Sequence, residues 1–384
     1  MRGCRPPNFA YPMKSALPIS TLVSRRRFVG QFAAGTAAIT FALRGRAQSA
    51  AAPRKLGVAI VGLGAYAGGQ IGPALKLTEH CRLAGVVTGS HPKGRQWASE
   101  YGFPETSIYN YETMGRIADN PDIDIVYVIT PNALHAGHVI AAAHAGKHVI
   151  SEKPFTTNVA DAENAIAACR EAKVKLSIGY RLHFDPFHQE MMRLAAAPDF
   201  GPFTRMTGAN GFYMRKKVWR AERKLAGGGP LMDMGIYCAH EACMAAGAAP
   251  IAVTAREHPK TRPEFFTDVE EGLDWTMEFA SGAKAELMTS YSKNVGFFRA
   301  EGAKGWYALN PAFGYTGLKA TSSRGPVNIA GLKSQQAVQL DDFALCVRED
   351  HPTRVPGEMG LRDMKIIAAI YEAAQSGKHV AVNA

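Results

Sequence analysis

The sequence predicts an α/β protein of two domains, the first with a parallel sheet and the second with a large open, mostly antiparallel sheet. From Lys55 onward, short apolar runs alternate with stretches of helical composition, which is typical of strand–helix–strand units. After residue 180, apolar residues alternate along longer runs that are joined by tight turns such as Ala280-Ser281-Gly282. A chain of 384 residues is long enough for two such domains, each with its own core.

The first domain is predicted over residues 52–180. Its strands are predicted from short apolar runs at 57–62, 82–87, 123–129, 148–150 and 176–180. Between them, helical composition and spacing occur at 66–77, 92–101 and 133–145. This alternation predicts a parallel sheet with helices on its faces.

The second domain is predicted over residues 181–384, and we expect it to bind the substrate and to carry the oligomer contacts. A helix is predicted at 186–196, before strands at 203–213, 251–257, 272–279, 283–292, 297–302 and 306–309. Two late helices are predicted at 341–348 and 361–376, and either is a candidate for packing back on the first domain. An open sheet with an apolar face predicts a homodimer or a homotetramer, because such faces are usually covered.

The first 51 residues have the pattern of a twin-arginine signal peptide. The run SRRRFVG (24–30) leads into an apolar stretch at 29–43 that is too short to span a bilayer, and small residues follow at 47–51. Residues 1–50 hold eight Lys or Arg residues and no acid, so most of the net charge of +11 belongs to this leader. The leader therefore predicts export of the folded protein to the periplasm, and the nearly balanced remainder argues against a nucleic-acid binder.

A dinucleotide-binding turn is predicted at GLGAYA (62–67), directly after the first strand. Gly62 permits the tight turn, and Gly64 lets the backbone approach a pyrophosphate at the start of the following helix. The turn predicts a Rossmann domain, with cofactor contacts from its members Gly62, Leu63, Gly64, Ala65 and Tyr66.

The end of the second strand indicates which nucleotide binds. An acid about 20 residues beyond the glycines would bind the ribose hydroxyls of NAD, but residues 87–95 contain no Asp or Glu. Ser90, Lys93 and Arg95 instead offer a hydroxyl and two cations, which suit the 2′-phosphate of NADP. The alternative is that these three residues form an ordinary solvated loop.

Polar residues follow two further strands of the predicted sheet, at the edge where ligands of parallel sheets bind. After 123–129 come Thr130, Pro131, Asn132 and His135; after 148–150 come Glu152 and Lys153. We expect this group to contact the nicotinamide side of the cofactor, with Lys153 directed into the site by Pro154. A purely structural role is the alternative for His135.

Asp233, Tyr237 and His240 recur at i, i+4 and i+7 on one face of a helix predicted to begin near Pro230. A dehydrogenase must remove a hydroxyl proton as hydride leaves the alcohol carbon. A free phenol has a pKa of about 10, so Tyr237 needs a nearby cation. Lys153 is the candidate cation and Asp233 the residue that orients the pair; packed core is the alternative for Tyr237.

These motifs resemble the glucose–fructose oxidoreductase family, within the Gfo/Idh/MocA superfamily, over nearly the whole chain after the leader. The resemblance rests on GLGAYA (62–67), ITPNALH (129–135), AGKHVISEKP (145–154), IGYRLHFDP (178–186), VWRAERKLAGGGPLMDMGIY (218–237) and NPAFGYTGLK (310–319). It implies tightly held NADP, with Lys153 and Tyr237 at the site of hydride transfer. It further implies that Arg181, Trp219, Arg220 and Tyr315 lie near cofactor or sugar, and that Tyr109 lies beside the nucleotide. The expected substrate contacts are Tyr180, Arg181, Tyr237 and His240.

We therefore expect a periplasmic NADP-dependent sugar oxidoreductase that oxidises an aldose at C1 to its lactone and returns the hydride to a ketose. One alternative is a simple NAD(P)-dependent sugar or trans-dihydrodiol dehydrogenase that exchanges its cofactor. Another is a catalytically silent sugar-binding or sensor protein. No metal is expected, since no Cys/His cluster has the spacing of zinc ligands.

Overall fold

The computed structural model of the protein describes residues 54–384. The twin-arginine interpretation concerns residues that lie outside this range. Among the described residues, no helix is both long and apolar enough to cross a membrane.

The first sheet has six parallel strands, in the order β3-β2-β1-β4-β5-β6. They are β1 (Leu56–Val61), β2 (Cys81–Val87), β3 (Ile108–Tyr109), β4 (Ile125–Val128), β5 (His148–Ser151) and β6 (Leu176–Ile178). The central strand β1 is buried along its whole length, which explains why its sequence is continuously apolar. The predicted Rossmann-type parallel sheet is confirmed.

Nine helices accompany the two sheets in the described range. They are α1 (Gly72–Leu75), α2 (His91–Tyr101), α3 (His135–His144), α4 (Val159–Glu171), α5 (Pro186–Ala196), α6 (Arg223–Ala226), α7 (Ile236–Ala246), α8 (Gln335–Arg348) and α9 (Gly357–Ser376). A π-helical turn precedes α1 at Ala67–Ile71 and another precedes α7 at Leu231–Gly235. Helix α4 was absent from the sequence-based prediction, although Asn158 caps it by accepting a hydrogen bond from the Asp161 amide.

The second sheet has nine strands, in the order β14-β13-β12-β11-β7-β10-β9-β8-β15. They are β7 (Arg205–Gly211), β8 (Pro250–Glu257), β9 (Gly272–Phe279), β10 (Lys284–Ser290), β11 (Val295–Gly302), β12 (Gly305–Leu309), β13 (Ala320–Ser322), β14 (Gly325–Val327) and β15 (Val380–Ala381). All neighbouring strands of this sheet pair antiparallel except β7 and β10, which pair in parallel at its middle. The prediction of a large, mostly antiparallel sheet is confirmed.

Helix α8 packs against the nucleotide-binding sheet. It begins at Gln335, six residues before the predicted start, where Ser334 accepts a hydrogen bond from the Ala337 amide. Its Leu340 and Phe343 belong to the same buried cluster as Val58 of β1. Helix α8, from the C-terminal part of the chain, therefore packs on the first domain beside the predicted cofactor turn.

Glu241 of α7 is fully buried, and in the described part of the chain neither of its carboxylate oxygens has a hydrogen-bond partner. Nε2 of His188, on α5, lies 3.5 Å away. Burial raises the pKa of Glu241 from an ordinary 4.5 to about 7. The folded protein thus binds a proton more tightly than the unfolded chain, and its stability falls as the pH rises from 4.5 to 7.

Glu241→Gln is therefore expected to raise the free energy of unfolding relative to wild type, and more so at pH 8 than at pH 5. The difference between the two gains is expected to reach about 2–3 kcal/mol. Urea unfolding at both pH values measures it, with Glu163→Gln on the exposed side of α4 as the matched control. Equal gains at both pH values would contradict the assignment.

Candidate active site

The glycine turn after β1 has the geometry that a dinucleotide needs. Gly62 has φ +96°, and a Cβ there would lie 3.0 Å from the carbonyl oxygen of Ile129, so only glycine fits without strain. A Cβ on Gly64 would meet no atom within 4 Å, and both Gly64 and Ala65 are exposed. The turn therefore presents open backbone at the start of a helix, which fits a pyrophosphate.

The three residues expected at the 2′-phosphate end lie at the start of α2. Ser90 caps this helix, its hydroxyl oxygen lying 3.5 Å from the Lys93 amide. The Lys93 ammonium group donates to the carbonyl of Leu63, in the glycine turn, at 3.1 Å. Arg95 is exposed on the same helix. Lys93 thus lies directly against the cofactor turn, and Arg95 is free to meet an anion beside it.

Hydrogen bonds within the loop after β4 and to two other segments of the chain hold this loop in place. Both ring nitrogens of His135 face carbonyl oxygens, Nδ1 that of Pro154 at 2.9 Å and Nε2 that of Thr130 at 2.7 Å. Burial lowers the pKa of His135 below its ordinary value. The Asn132 amide donates to the carbonyl of Ala226 at 2.8 Å. These contacts favour the structural interpretation of His135, which still contributes to the wall of the site.

A cavity of about 240 Å³ brings most of the predicted site residues together. The predicted residues on its wall are Tyr66, Thr130, Asn132, His135, Glu152, Lys153, Arg181, Trp219, Arg220, Asp233, Tyr237 and Tyr315. Tyr66 connects this cavity to the glycine turn. The cavity therefore lies where the reactive end of a bound dinucleotide would enter.

Lys153, Asp233 and Tyr237 meet on this wall. The Lys153 ammonium donates to the Asp233 carbonyl at 2.7 Å, lies 3.5 Å from its carboxylate and is 4.5 Å from the centroid of the Tyr237 ring. Burial alone would raise the pKa of Asp233, but the cations of Lys153 and Arg220 hold it below its ordinary value. Asp233 thus stays ionised and fixes Lys153 beside the phenol.

Glu152, next to Lys153, is a buried acid. Its carboxylate accepts a hydrogen bond from the Tyr127 hydroxyl at 2.7 Å and another from the Lys153 amide at 3.1 Å. Burial raises its pKa despite these donors. A Cβ on Gly179 would lie 2.7 Å from this carboxylate, so the neighbouring glycine makes room for it.

Besides Pro131, residues 62–65 of the glycine turn and the predicted residues at the start of α2, three more predicted residues lie outside the main cavity. Tyr109 is buried, and its hydroxyl accepts a hydrogen bond from Asn120 at 3.0 Å; both residues line a separate surface depression. Tyr180 and His240 stack on each other, with centroids 3.9 Å apart, and line a much smaller crevice behind Tyr237. The structure thus places Tyr180 and His240 next to Tyr237 but not on the wall of the main cavity, and their contact with a substrate stays a prediction.

Several wall residues were absent from the prediction. They are Ile129, Met234, Phe313 and Gly314. Tyr291 was also missed; its hydroxyl donates to the Asp233 carboxylate at 3.1 Å. The exposed Tyr111 stacks on His138, with centroids 5.4 Å apart, and lies against Gly89 just after β2. At this end of the site the sequence predicts Tyr109 beside the nucleotide, and Tyr111 is the exposed tyrosine there.

Comparison with known families agrees with this geometry. Residues 56–180 match an oxidoreductase family with an NAD-binding Rossmann fold, and residues 188–308 match the GFO/IDH/MocA C-terminal domain. Both matches are to domains of the GFO/IDH/MocA family, and the chain belongs to that family. It is an NAD(P)-dependent oxidoreductase acting on CH–OH groups, as the sequence predicted.

Three proteins similar to this chain are named for activities on sugars. The crystal structure of an aldose–aldose oxidoreductase from Caulobacter crescentus complexed with glycerol has 42% sequence identity and a TM-score of 0.83, covering 86% of this chain and 100% of that one. A D-xylose 1-dehydrogenase [NADP(+)] from Haloarcula marismortui is 27% identical, covering 83% of this chain and 91% of its own. A D-xylose 1-dehydrogenase (NADP(+)) from Haloferax volcanii is 28% identical, covering 80% and 94%.

Proposed function

We propose that this protein is an NADP-dependent aldose oxidoreductase that oxidises C1 of an aldose to the lactone and returns the hydride to a second sugar, a ketose or another aldose. The observation that carries the proposal is the convergence of Lys153 and Tyr237 on one cavity, next to Tyr66 of the dinucleotide turn. The named activities of the relatives support a sugar substrate. The absence of an acid after β2, together with Lys93 and Arg95, supports NADP.

Each residue of the cavity has a separate role in such a reaction. The nicotinamide cofactor, when bound, accepts and later returns the hydride. The Gly62–Tyr66 turn would hold its pyrophosphate. Tyr237 takes the proton of the substrate hydroxyl in oxidation and gives it back in reduction. Lys153 holds a positive charge beside the phenol, and Asp233 fixes the position of that lysine.

The proposal is tested with the purified protein, NADP⁺ or NAD⁺, and a panel of aldoses. We expect reduction of NADP⁺ with an aldose, and a lactone as the product identified by NMR. After free nucleotide is removed, a second sugar should reoxidise the reduced enzyme. Lactone formation without this second step would favour the simple dehydrogenase, which the two xylose dehydrogenases support. Nucleotide binding without turnover of any sugar would favour the silent sensor.

We further propose that the protein is exported to the periplasm by the twin-arginine route. The paired arginines and the mild apolar stretch of the leader support this location. In a host with that export route, the full chain should be found in the periplasmic fraction. A variant with both Arg25→Lys and Arg26→Lys should stay in the cytoplasm, and equal export of the two proteins would contradict the proposal.

A further inference from the structure

Arg181 is a buried cation whose hydrogen-bond partners are neutral. Only 2% of its surface is exposed. Its guanidinium donates to the carbonyl oxygens of Phe313 at 2.6 Å and Gly314 at 3.0 Å, and to the side-chain oxygen of Gln335. Within residues 54–384, no carboxylate lies at ion-pair distance from it. A buried charge is costly unless something compensates it, so the free positive charge calls for an explanation.

The charge of Arg181 is directed at Tyr237. Its Nε lies 3.3 Å from the Tyr237 hydroxyl, as a hydrogen-bond donor to that oxygen. The guanidinium carbon lies 5.0 Å from the centroid of the Tyr237 ring and 4.5 Å from that of Tyr315. In the part of the chain that the structure describes, the Arg181 guanidinium is the one cation that donates a hydrogen bond to the Tyr237 hydroxyl.

The two other cations on the cavity wall share one carboxylate partner. Lys153 and Arg220 both face the Asp233 carboxylate, at 3.5 and 3.2 Å. Lys153 also lies 4.5 Å from the centroid of the Tyr237 ring, and within residues 54–384 the hydrogen bond of its ammonium group goes to Asp233. The remaining titratable groups on the cavity wall are the phenols Tyr66 and Tyr315, the buried acid Glu152 and the ring of His135. Arg181 therefore supplies the positive charge at Tyr237 that no carboxylate neutralises.

Gln335 explains why Arg181 has no acidic partner. Its side-chain oxygen accepts from Arg181, and its amide nitrogen donates to the Asp185 carboxylate at 2.9 Å. Asp185 is held in place by the Phe187 amide at 3.0 Å and lies 3.1 Å from Nδ1 of His188. A neutral amide thus stands between the guanidinium and the carboxylate that could neutralise it.

We propose that Arg181 is a catalytic residue that stabilises the negative charge on the Tyr237 oxygen, and that Gln335 is a positioning residue that keeps Asp185 from cancelling this effect. In oxidation, Tyr237 first releases its own proton to solvent. The substrate O–H bond then breaks and its proton passes to the phenolate, while the hydride leaving C1 would be accepted by an oxidised nicotinamide held through the Gly62–Tyr66 turn. The inference rests on the proposed function, because it needs Tyr237 to exchange a proton with the sugar.

The test is Gln335→Glu, which keeps the side-chain shape and places a carboxylate against Arg181. We expect kcat to fall about tenfold or more at neutral pH, with KM for the sugar changed by less than about threefold. The rising limb of the pH–rate profile should move to higher pH. The matched control is Gln339→Glu, one helical turn further along α8, whose buried amide contacts the Ile178 carbonyl and not Arg181.

Arg181→Lys and Arg181→Gln extend the test to the guanidinium itself. The lysine variant keeps a positive charge and should retain more activity than the glutamine variant. A Gln335→Glu protein with the kcat and pH profile of the Gln339→Glu protein would overturn the proposal. So would an Arg181→Gln protein that loses activity at every pH without any shift of the profile, since that result describes a merely structural role.

An optical measurement separates failure of this inference from failure of the proposed function. The tyrosinate absorbance of wild type minus that of Tyr237→Phe follows the ionisation of Tyr237 without any substrate. We expect this difference signal to appear at higher pH in the Gln335→Glu background. If it does not move, the inference is wrong even where the enzyme oxidises aldoses. If it moves while no sugar is turned over, the electrostatic role stands and the proposed reaction fails.

Discussion

Replacing Tyr237 with phenylalanine is expected to lower kcat by about 10²- to 10⁴-fold, the range typical of a lost general acid–base group. The phenol hydroxyl is the group on the cavity wall that is placed to exchange a proton, with Arg181 as its hydrogen-bond donor. The aromatic ring and its packing on Phe313 remain in the variant. Affinity for the nucleotide, measured by fluorescence titration, should therefore stay close to that of wild type.

Tyr307→Phe on β12 is the matched control for this variant. Its hydroxyl is buried and donates to the carbonyl of Phe187 at 3.0 Å, and neither residue lines the cavity. Loss of this hydrogen bond in Tyr307→Phe should lower the free energy of unfolding by about 1 kcal/mol and leave turnover intact. Near-normal turnover of the Tyr237→Phe protein would rule out the proton-transfer role of Tyr237.

Lys153→Met is expected to have the second largest effect, a fall of about 10²- to 10³-fold in kcat, by analogy with removal of one electrostatic group from an active site. The variant keeps the volume of the side chain but removes the cation beside Tyr237. It also leaves the Asp233 carboxylate with two partners in the described range, Arg220 and Tyr291, so the carboxylate is held less firmly. Steady-state kinetics with an aldose and NADP⁺ give the measurement.

Lys147→Met provides the control for this change. Lys147 precedes β5 and donates to the carbonyl of Asn120 at 3.0 Å, outside the cavity. Its variant should turn over at the wild-type rate. Equal losses in both lysine variants would point to general destabilisation, and the assigned role of Lys153 would then have to be abandoned.

Local signals in the sequence were sufficient for much of the fold. Strand β1 lies at the centre of its sheet, so burial on both faces leaves a continuous apolar run that is easily recognised. Helix α4 was missed although its signal is present: Asn158 caps it, and Ala162, Ala165, Ile166 and Cys169 are its buried face. The sequence therefore contains enough information to predict helix α4.

Other features depend on contacts that no local pattern records. The parallel pairing of β7 with β10 joins segments about 80 residues apart in the chain. Arg181 donates hydrogen bonds to the carbonyl oxygens of residues 313–314 and to the side chain of Gln335. These partners lie more than 130 residues further along the chain, so no local pattern predicts the contacts. Strand β3 has only two residues, too few to show whether Tyr109 or Tyr111 faces outward, and the structure exposes Tyr111.

Rapid mixing of the wild-type enzyme, loaded with NADP⁺, with an aldose carrying either hydrogen or deuterium at C1 tests the central claim most directly. If the cavity around Lys153 and Tyr237 carries out hydride transfer from the sugar, reduced nicotinamide should appear in a single turnover. Its formation should be slower with the deuterated sugar, and much slower in the Tyr237→Phe protein. Bound nucleotide that remains oxidised with every aldose would contradict the account.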